Sequence, residues 1–121
     1  MGHRILLVED HHDTATAFAR MLRRDGYDLT VAASSVDARA LCAQQTFDLL
    51  ICDINLGDGN GSELLKTARQ SHEKTLGVIV SGHDDPAQKQ QAKEAGFAQF
   101  FLKPIDYPSF RDALRALLAR Q

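Results

Sequence analysis

The 121-residue chain, 44% apolar and 25% charged, is bounded to one globular domain that can bury about two-thirds of its extended surface without disulfides or metal. Its 14 basic and 16 acidic residues leave a formal charge of −2, with no like-charge run that could serve as a nucleic-acid footprint, so direct DNA binding is disfavoured. No apolar run approaches the roughly 20 residues that cross a bilayer and MGHR lacks an h-region, so the expected setting is cytoplasmic, with Cys42 and Cys52 as reduced, buried thiols.

The first apolar run, RILLVE (4–9), reads as a strand buried on both faces, with Glu9 and Asp10 at its carboxyl end. His11-His12-Asp13 then leads into a helix whose Ala15, Phe18, Ala19 and Leu22 fall at i, i+3, i+4 and i+7. Adjacent histidines diverge at a helix start and no second His/Cys pair lies at ligand spacing, so a capping turn is expected and not a zinc site. DLTVA (28–32) is the second strand, and Ser34 with Asp37 has capping-box-like spacing for the helix that follows.

DLLIC (48–52) is the third strand, ending at Asp53, and Asn60-Gly61-Ser62 precedes a third helix carrying Leu64, Leu65 and Ala68. The intervening GDGNG (57–61) lacks the spacing of a nucleotide phosphate loop and reads as a flexible loop beside Asp53. LGVIVS (76–81) is the fourth strand, ending in Ser81. Asp85-Pro86 supplies the N-cap and N1 proline of a fourth helix, which Gly96 closes. Ala87, Ala92 and Ala95 are its apolar residues, and alanines bury little area, which predicts a loosely held helix. FAQFFL (97–102) is the fifth strand, ending at Lys103-Pro104, and Phe110, Ala113, Leu114, Leu117 and Leu118 repeat the helical pattern.

Strict strand–helix alternation implies a parallel sheet covered on both faces by right-handed crossovers, a (βα)5 sandwich. Ligands of such sheets bind beyond the carboxyl ends of the strands, where this chain places Glu9, Asp10, Asp53, Ser81 and Lys103. Three carboxylates converging there would repel by roughly 3 kcal/mol per pair at about 5 Å and an effective dielectric near 20. Oxygen-only ligands point to a hard divalent cation, and Mg2+ accepts one or two carboxylates, waters and a phosphate. Asp10 and Asp53 are the expected direct ligands, Glu9 acts through water or a second layer, and the Asn55 carbonyl is a third. A carboxylate beside Mg2+ and a lysine is suited to attack a phosphoryl group, which makes Asp53 the nucleophile, Lys103 its ion-pair partner and Ser81 a hydroxyl donor. The residue before proline is driven to extended geometry, so Lys103 continues its strand. A cis Pro104 would aim the lysine at the pocket; the sequence leaves the isomer open.

From ILLVED through FDLLICDINLGDGNG and VIVSG to AGFAQFFLKP, the sequence resembles the receiver domain of two-component response regulators over its whole length, 1–121. The resemblance implies a flavodoxin-like doubly wound sheet of strand order 2-1-3-4-5. It implies Asp53 as phosphoacceptor, Glu9 and Asp10 as the acidic pair, Ser81 as switch hydroxyl, Phe100 as switch aromatic, Lys103 as the site lysine and the Asn55 carbonyl completing a Mg2+ site. The phosphodonor would be a phosphohistidine on a histidine kinase or histidine phosphotransfer domain. The chain would catalyse its own phosphorylation and dephosphorylation and signal through the face formed by helix 4, strand 5 and helix 5, with no contact to nucleic acid or membrane.

Glu9, Ser81 and Phe100 stand where aspartate, threonine and tyrosine are more usual in that family, and Gly57 where proline is common. Phe100 lacks a hydroxyl, so a rotamer switch there would rest on packing alone. Asn55 and His83, two residues past the acceptor and the switch hydroxyl, are expected to set the rate of acyl-phosphate hydrolysis. VEDHHDTA, GYDLTVAAS and DINLGDGNG are closest in flavour to receivers of hybrid sensor histidine kinases, so the expectation is either a stand-alone receiver or the cytoplasmic part of a larger, membrane-bound kinase. Two alternatives remain at this point. One is a Mg2+-dependent aspartate-nucleophile phosphatase of the haloacid dehalogenase type, whose second acid would fall at Asn55. The other is a degenerate receiver acting by protein binding only, against which intact Asp53, Asp10 and Lys103 argue.

Overall fold

In the computed structural model, which describes residues 2–119, the five apolar runs become strands β1 (Arg4–Val8), β2 (Asp28–Ala32), β3 (Leu49–Cys52), β4 (Leu76–Ser81) and β5 (Gln99–Leu102). They alternate with helices α1 (His12–Arg24), α2 (Ser35–Gln44), α3 (Gly61–Ser71), α4 (Pro86–Glu94) and α5 (Tyr107–Leu118). All neighbouring strands pair in parallel, in the order β2-β1-β3-β4-β5. Chain direction across the sheet reverses beside β1, so the crevice such sheets use for ligands opens above the carboxyl ends of β1 and β3.

Helices on both faces explain why β3 and nearly all of β1 and β4 are buried. The outer runs depart from the expectation of two buried faces. Asp28 and Val31 of β2 are exposed, and β5 starts only at Gln99, with Phe100 and Phe101 half-buried and Leu102 41% exposed. An edge strand has one strand neighbour and incomplete helical cover, so its side chains lose less contact with water. Phe97 lies ahead of β5 and packs on β4 at Gly77, where an added Cβ would stand 2.5 Å from its ring.

Strand residues alternate between two cores. Leu6, Leu50, Cys52 and Ile79 pack with Cys42 of α2, Leu64 and Leu65 of α3 and Ala92 of α4. Ile5, Leu49, Ile51 and Val78 pack with Phe18 and Leu22 of α1 and with Phe110 and Leu114 of α5. Both cysteines are free and buried, and burial raises both thiol pKa values, so they are packing groups and not nucleophiles.

The helix starts follow the sequence signals. Ser34, Asn60 and Asp85 accept the N–H groups of Asp37, Glu63 and Ala87 at 3.1, 2.8 and 2.9 Å, each such cap contributing about 1 kcal/mol. His11 caps α1, its Nδ1 accepting from the Thr14 N–H at 3.2 Å, so the histidine pair is a helix start as expected. Ala92 is the one residue of α4 that is buried, which matches the thin apolar seat read from its alanines. The Lys103-Pro104 bond is cis.

Candidate functional site

Four strands deliver their terminal residues to one rim. Glu9 extends β1 through its N–H to the Ala32 carbonyl (3.0 Å), and Lys103 extends β5 through its N–H to the Ser81 carbonyl (2.7 Å), as the pre-proline geometry predicts. Glu9, Asp10, Asp53, Asn55 and Lys103 line a single pocket of about 260 Å³. A second cleft of about 560 Å³ lies beside it, between Asp53 and Asn55 on one side and Gly82, His83, Asp84, Asp85 and Gln88 on the other. Asp53 and Asn55 border both, so a group on the Asp53 carboxylate would be reachable from either side. Asn55 and His83 flank Asp53 in the cleft, where the sequence placed them.

The charge pairing differs from the sequence expectation. Lys103 Nζ lies 3.1 Å from Glu9 Oε2, and Glu9, not Asp53, is its ion-pair partner. The other Glu9 oxygen, Oε1, accepts the His11 N–H at 3.1 Å. Glutamate is one methylene longer than the aspartate more usual there, which gives its carboxylate the reach to meet the lysine. Asp53 Oδ1 accepts the Ile54 N–H at 2.6 Å, while Asp10 is exposed.

Among the described residues no group of three or more His, Cys, Asp or Glu side chains converges tightly enough to form a metal cage. The three carboxylates share a pocket without crowding, and Lys103 neutralises one of them. This donor set still suits Mg2+, which needs few protein ligands and keeps its waters. Asp10 and Asp53 supply carboxylate oxygens. Residues 54–61 form a narrow hairpin closed by Gly61 N–H to Ile54 O (2.8 Å) and Leu56 N–H to Gly59 O (3.0 Å), a pairing that uses neither backbone group of Asn55. With both oxygens engaged by protein donors, Glu9 fits a water-mediated role and not a direct one.

Ser81 is fully buried, and its Oγ accepts the His83 N–H at 3.1 Å; as an acceptor it retains its own proton to donate. The residues after β4 that line the Asp53 cleft are Gly82, His83, Asp84 and Asp85, and Ser81 is not among them, so its hydroxyl has to turn to reach a group on Asp53. Phe100 is half-buried against the α2–α3–α4 core. Lys89 Nζ stands 5.8 Å above its ring centroid and also pairs with Asp84 Oδ1 at 2.5 Å. A cation over an aromatic face contributes about 0.5–1 kcal/mol when exposed.

Two features escaped sequence reasoning. The first is this Lys89 bridge between β5 and the loop after β4, for which no local pattern exists. The second is Asp58. The 57–61 stretch, read as a flexible loop, is pinned: Asp58 Oδ1 and Oδ2 accept the N–H groups of Ser35 and Val36 at 3.0 and 3.1 Å. These bonds, from Ser35 first and then Val36, hold its carboxyl below the usual carboxylate range. Gly61 is required where it stands, since a Cβ there would lie 2.5 Å from the Asp53 carbonyl oxygen.

Among the described residues no helix is long and apolar enough to cross a membrane. Residues 5–115 match the family model of the response regulator receiver domain. The chain is 34% identical over 118 residues to the alginate biosynthesis transcriptional regulatory protein AlgB of Pseudomonas aeruginosa, covering 98% of this chain and 25% of that protein. It is 26% identical over 118 residues to sporulation initiation phosphotransferase F of Bacillus subtilis, covering 98% of this chain and 95% of that one. It thus spans a quarter of one relative and nearly all of another. The solved CheY-like receiver domain protein from Methanospirillum hungatei superposes with a TM-score of 0.91 at 24% identity, covering 99% of this chain and 96% of that one, a likeness of fold. None of these matches supports a dehalogenase-type phosphatase, whose second acid position is occupied here by Asn55.

Proposed function

The chain belongs to the response regulator receiver family of two-component systems, and from that premise we propose that Asp53 is the carboxylate that accepts the phosphoryl group. Receiver domains take phosphate from histidine kinases or histidine phosphotransfer proteins, and a phosphohistidine on such a protein is the donor proposed for this chain. An Asp53 oxygen attacks phosphorus, an O–P bond forms, the N–P bond breaks, and the imidazole leaves with a proton from solvent. The observation that carries this reading is the position of Asp53, shared by a pocket holding Glu9, Asp10 and Lys103 and by an open cleft through which a donor can approach.

Mg2+ bound at Asp10, Asp53 and the Asn55 carbonyl would neutralise phosphoryl oxygens as charge develops. Lys103 supplies the second positive charge. Its pair with Glu9 is partly buried, with Lys103 36% and Glu9 16% exposed, and a phosphoryl oxygen offers the ammonium a second anionic acceptor. Ser81 then leaves the His83 N–H and donates its proton to a phosphoryl oxygen. Movement of Ser81 and His83 is felt at Asp84, Lys89 and Phe100, and α4 is held by little buried area, so the α4–β5–α5 face is the proposed output surface. Asn55 and His83 control water access to the acyl phosphate and so its lifetime.

The domain acts in the cytoplasm, alone or as part of a larger regulator or hybrid kinase, and performs no turnover beyond its own phosphorylation and dephosphorylation. Incubation with acetyl phosphate, read by intact mass, tests the assignment. Wild type gains a phosphoryl adduct only when Mg2+ is present, and Asp53→Asn gains none; an adduct on the variant places the acceptor elsewhere.

A further inference from the structure

The hairpin that carries Asn55 is anchored at its tip to a helix that contributes none of the proposed phosphoryl or metal ligands. Asn55 Oδ1 accepts the Gly57 N–H at 3.0 Å, and the chain turns at Gly57, whose φ of +80° favours glycine. Asp58 then places one carboxylate oxygen on each of two successive N–H groups at the start of α2, Ser35 at 3.0 Å and Val36 at 3.1 Å. Ser34 takes the third, from Asp37, at 3.1 Å. Gly59 sits so close to this helix start that a Cβ would stand 2.6 Å from Ser35 Oγ. With glycines at 57, 59 and 61, the hairpin tip has little stiffness of its own, and Asp58 is the side chain that fastens it to α2.

We propose that Asp58 is a positioning residue for the divalent-cation site: by capping α2 it fixes the hairpin and so sets where the Asn55 carbonyl stands relative to Asp53 and Asp10. The proposal rests on the reading of Asp10, Asp53 and Asn55 as the Mg2+ ligands. Mg2+ demands near-ideal octahedral geometry at about 2.0–2.1 Å, so a shift of a few tenths of an ångström in the carbonyl costs affinity. Residues that orient metal ligands from outside the coordination shell change affinity by about 10–100-fold when removed. It follows that the start of α2, a helix outside the α4–β5–α5 face, is coupled to the cation: tightening the one tightens the other.

The test is a Mg2+ titration of 15N-labelled protein, with Kd taken from the amide shifts of residues 53–57. Asp58→Ala is expected to weaken Mg2+ binding roughly tenfold and Asp58→Asn, which keeps one acceptor oxygen, by less. Ser71→Ala is the control. It removes the bond from Ser71 Oγ to the Cys42 carbonyl (2.7 Å) near the opposite end of α2, and should leave the Mg2+ affinity unchanged while lowering stability. Equal Kd values for wild type and Asp58→Ala, with shifts at residues 35–37 showing the cap lost, would overturn the proposal. So would a loss in Ser71→Ala as large as in Asp58→Ala, which would make the effect one of general stability. A wild type without saturable shifts would overturn the ligand reading itself, and the proposal with it.

Discussion

Lys103 Nζ and Glu9 Oε2 lie 3.1 Å apart across 94 residues of sequence, joining the ends of β5 and β1, strands separated in the sheet by β3 and β4. Lys103 is 36% and Glu9 16% exposed, so the pair is still partly screened by solvent and contributes on the order of 1 kcal/mol to folding. Its value to the molecule lies in holding an ammonium at the rim of the Asp53 pocket. Lys103→Ala should therefore leave the thermal midpoint nearly unchanged while slowing acetyl phosphate labelling by about a hundredfold or more. A loss of labelling no larger than the loss of stability would remove Lys103 from the chemistry.

The Lys89 bridge gives Phe100 a polar tie that its missing hydroxyl cannot provide. Lys89→Met keeps the length of the side chain and removes both the cation over the ring and the pair to Asp84. Amides of 86–94 should exchange faster in this variant, with opening easier by about 0.5–1 kcal/mol. Addition of beryllofluoride should change exchange of 84–96 in wild type and less in the variant. Identical protection with and without beryllofluoride in wild type would sink α4 as the mobile element.

His83 lines the cleft that reaches Asp53 and donates its N–H to Ser81. His83→Ala widens that cleft without touching the backbone bond, so the acyl phosphate should hydrolyse several-fold faster, on the order of 1 kcal/mol in barrier. Decay of the phosphorylated protein followed by mass gives the rate, and an unchanged rate contradicts a gating role.

Asp58 gives a pH dependence whose sign is fixed by its lowered native pKa, caused first by the Ser35 N–H, then by the Val36 N–H, with Arg39 adding to it and partial desolvation opposing it. A carboxylate with a depressed native pKa contributes stability that is fully present above its unfolded value near 3.9 and is lost as pH falls through the native value. Wild type should exceed Asp58→Asn in urea stability at neutral pH, and the gap should close below about pH 4. A gap that is constant down to acid would mean that the capping bonds do not depend on the charge.

Gly61 approaches the acceptor's own carbonyl, so Gly61→Ala places a methyl 2.5 Å from the Asp53 oxygen. Relief requires the backbone of Asp53 or the start of α3 to move, at a cost of about 1–3 kcal/mol. Labelling should fall with stability in this variant, unlike in Lys103→Ala. Full stability in Gly61→Ala would show that the approach is looser than the structure has it.

Most of this architecture was legible because it is written in local chemistry. Apolar runs with caps at Ser34, Asn60 and Asp85 announce alternating strands and helices, and the strand ends then place Glu9, Asp10, Asp53, Ser81 and Lys103 on one rim. What could not be read depends on contacts between distant segments. The reach of Glu9 decides that Lys103 pairs with it, Lys89 meets Phe100 only once α4 packs beside β5, and Asp58 reads as a loop residue until α2 is seen to start against it. The half-burial of β5 is hidden for a related reason: five apolar letters do not reveal whether a strand lies at the sheet edge.

The most direct test of the central claim is reduction of the phosphorylated protein with borohydride, which converts an acyl-phosphorylated aspartate to homoserine at the same position, followed by peptide mass mapping. Homoserine at position 53, formed only in samples treated with both phosphodonor and Mg2+, is the predicted result. Homoserine at Asp10 or another aspartate, with position 53 unmodified, would contradict it.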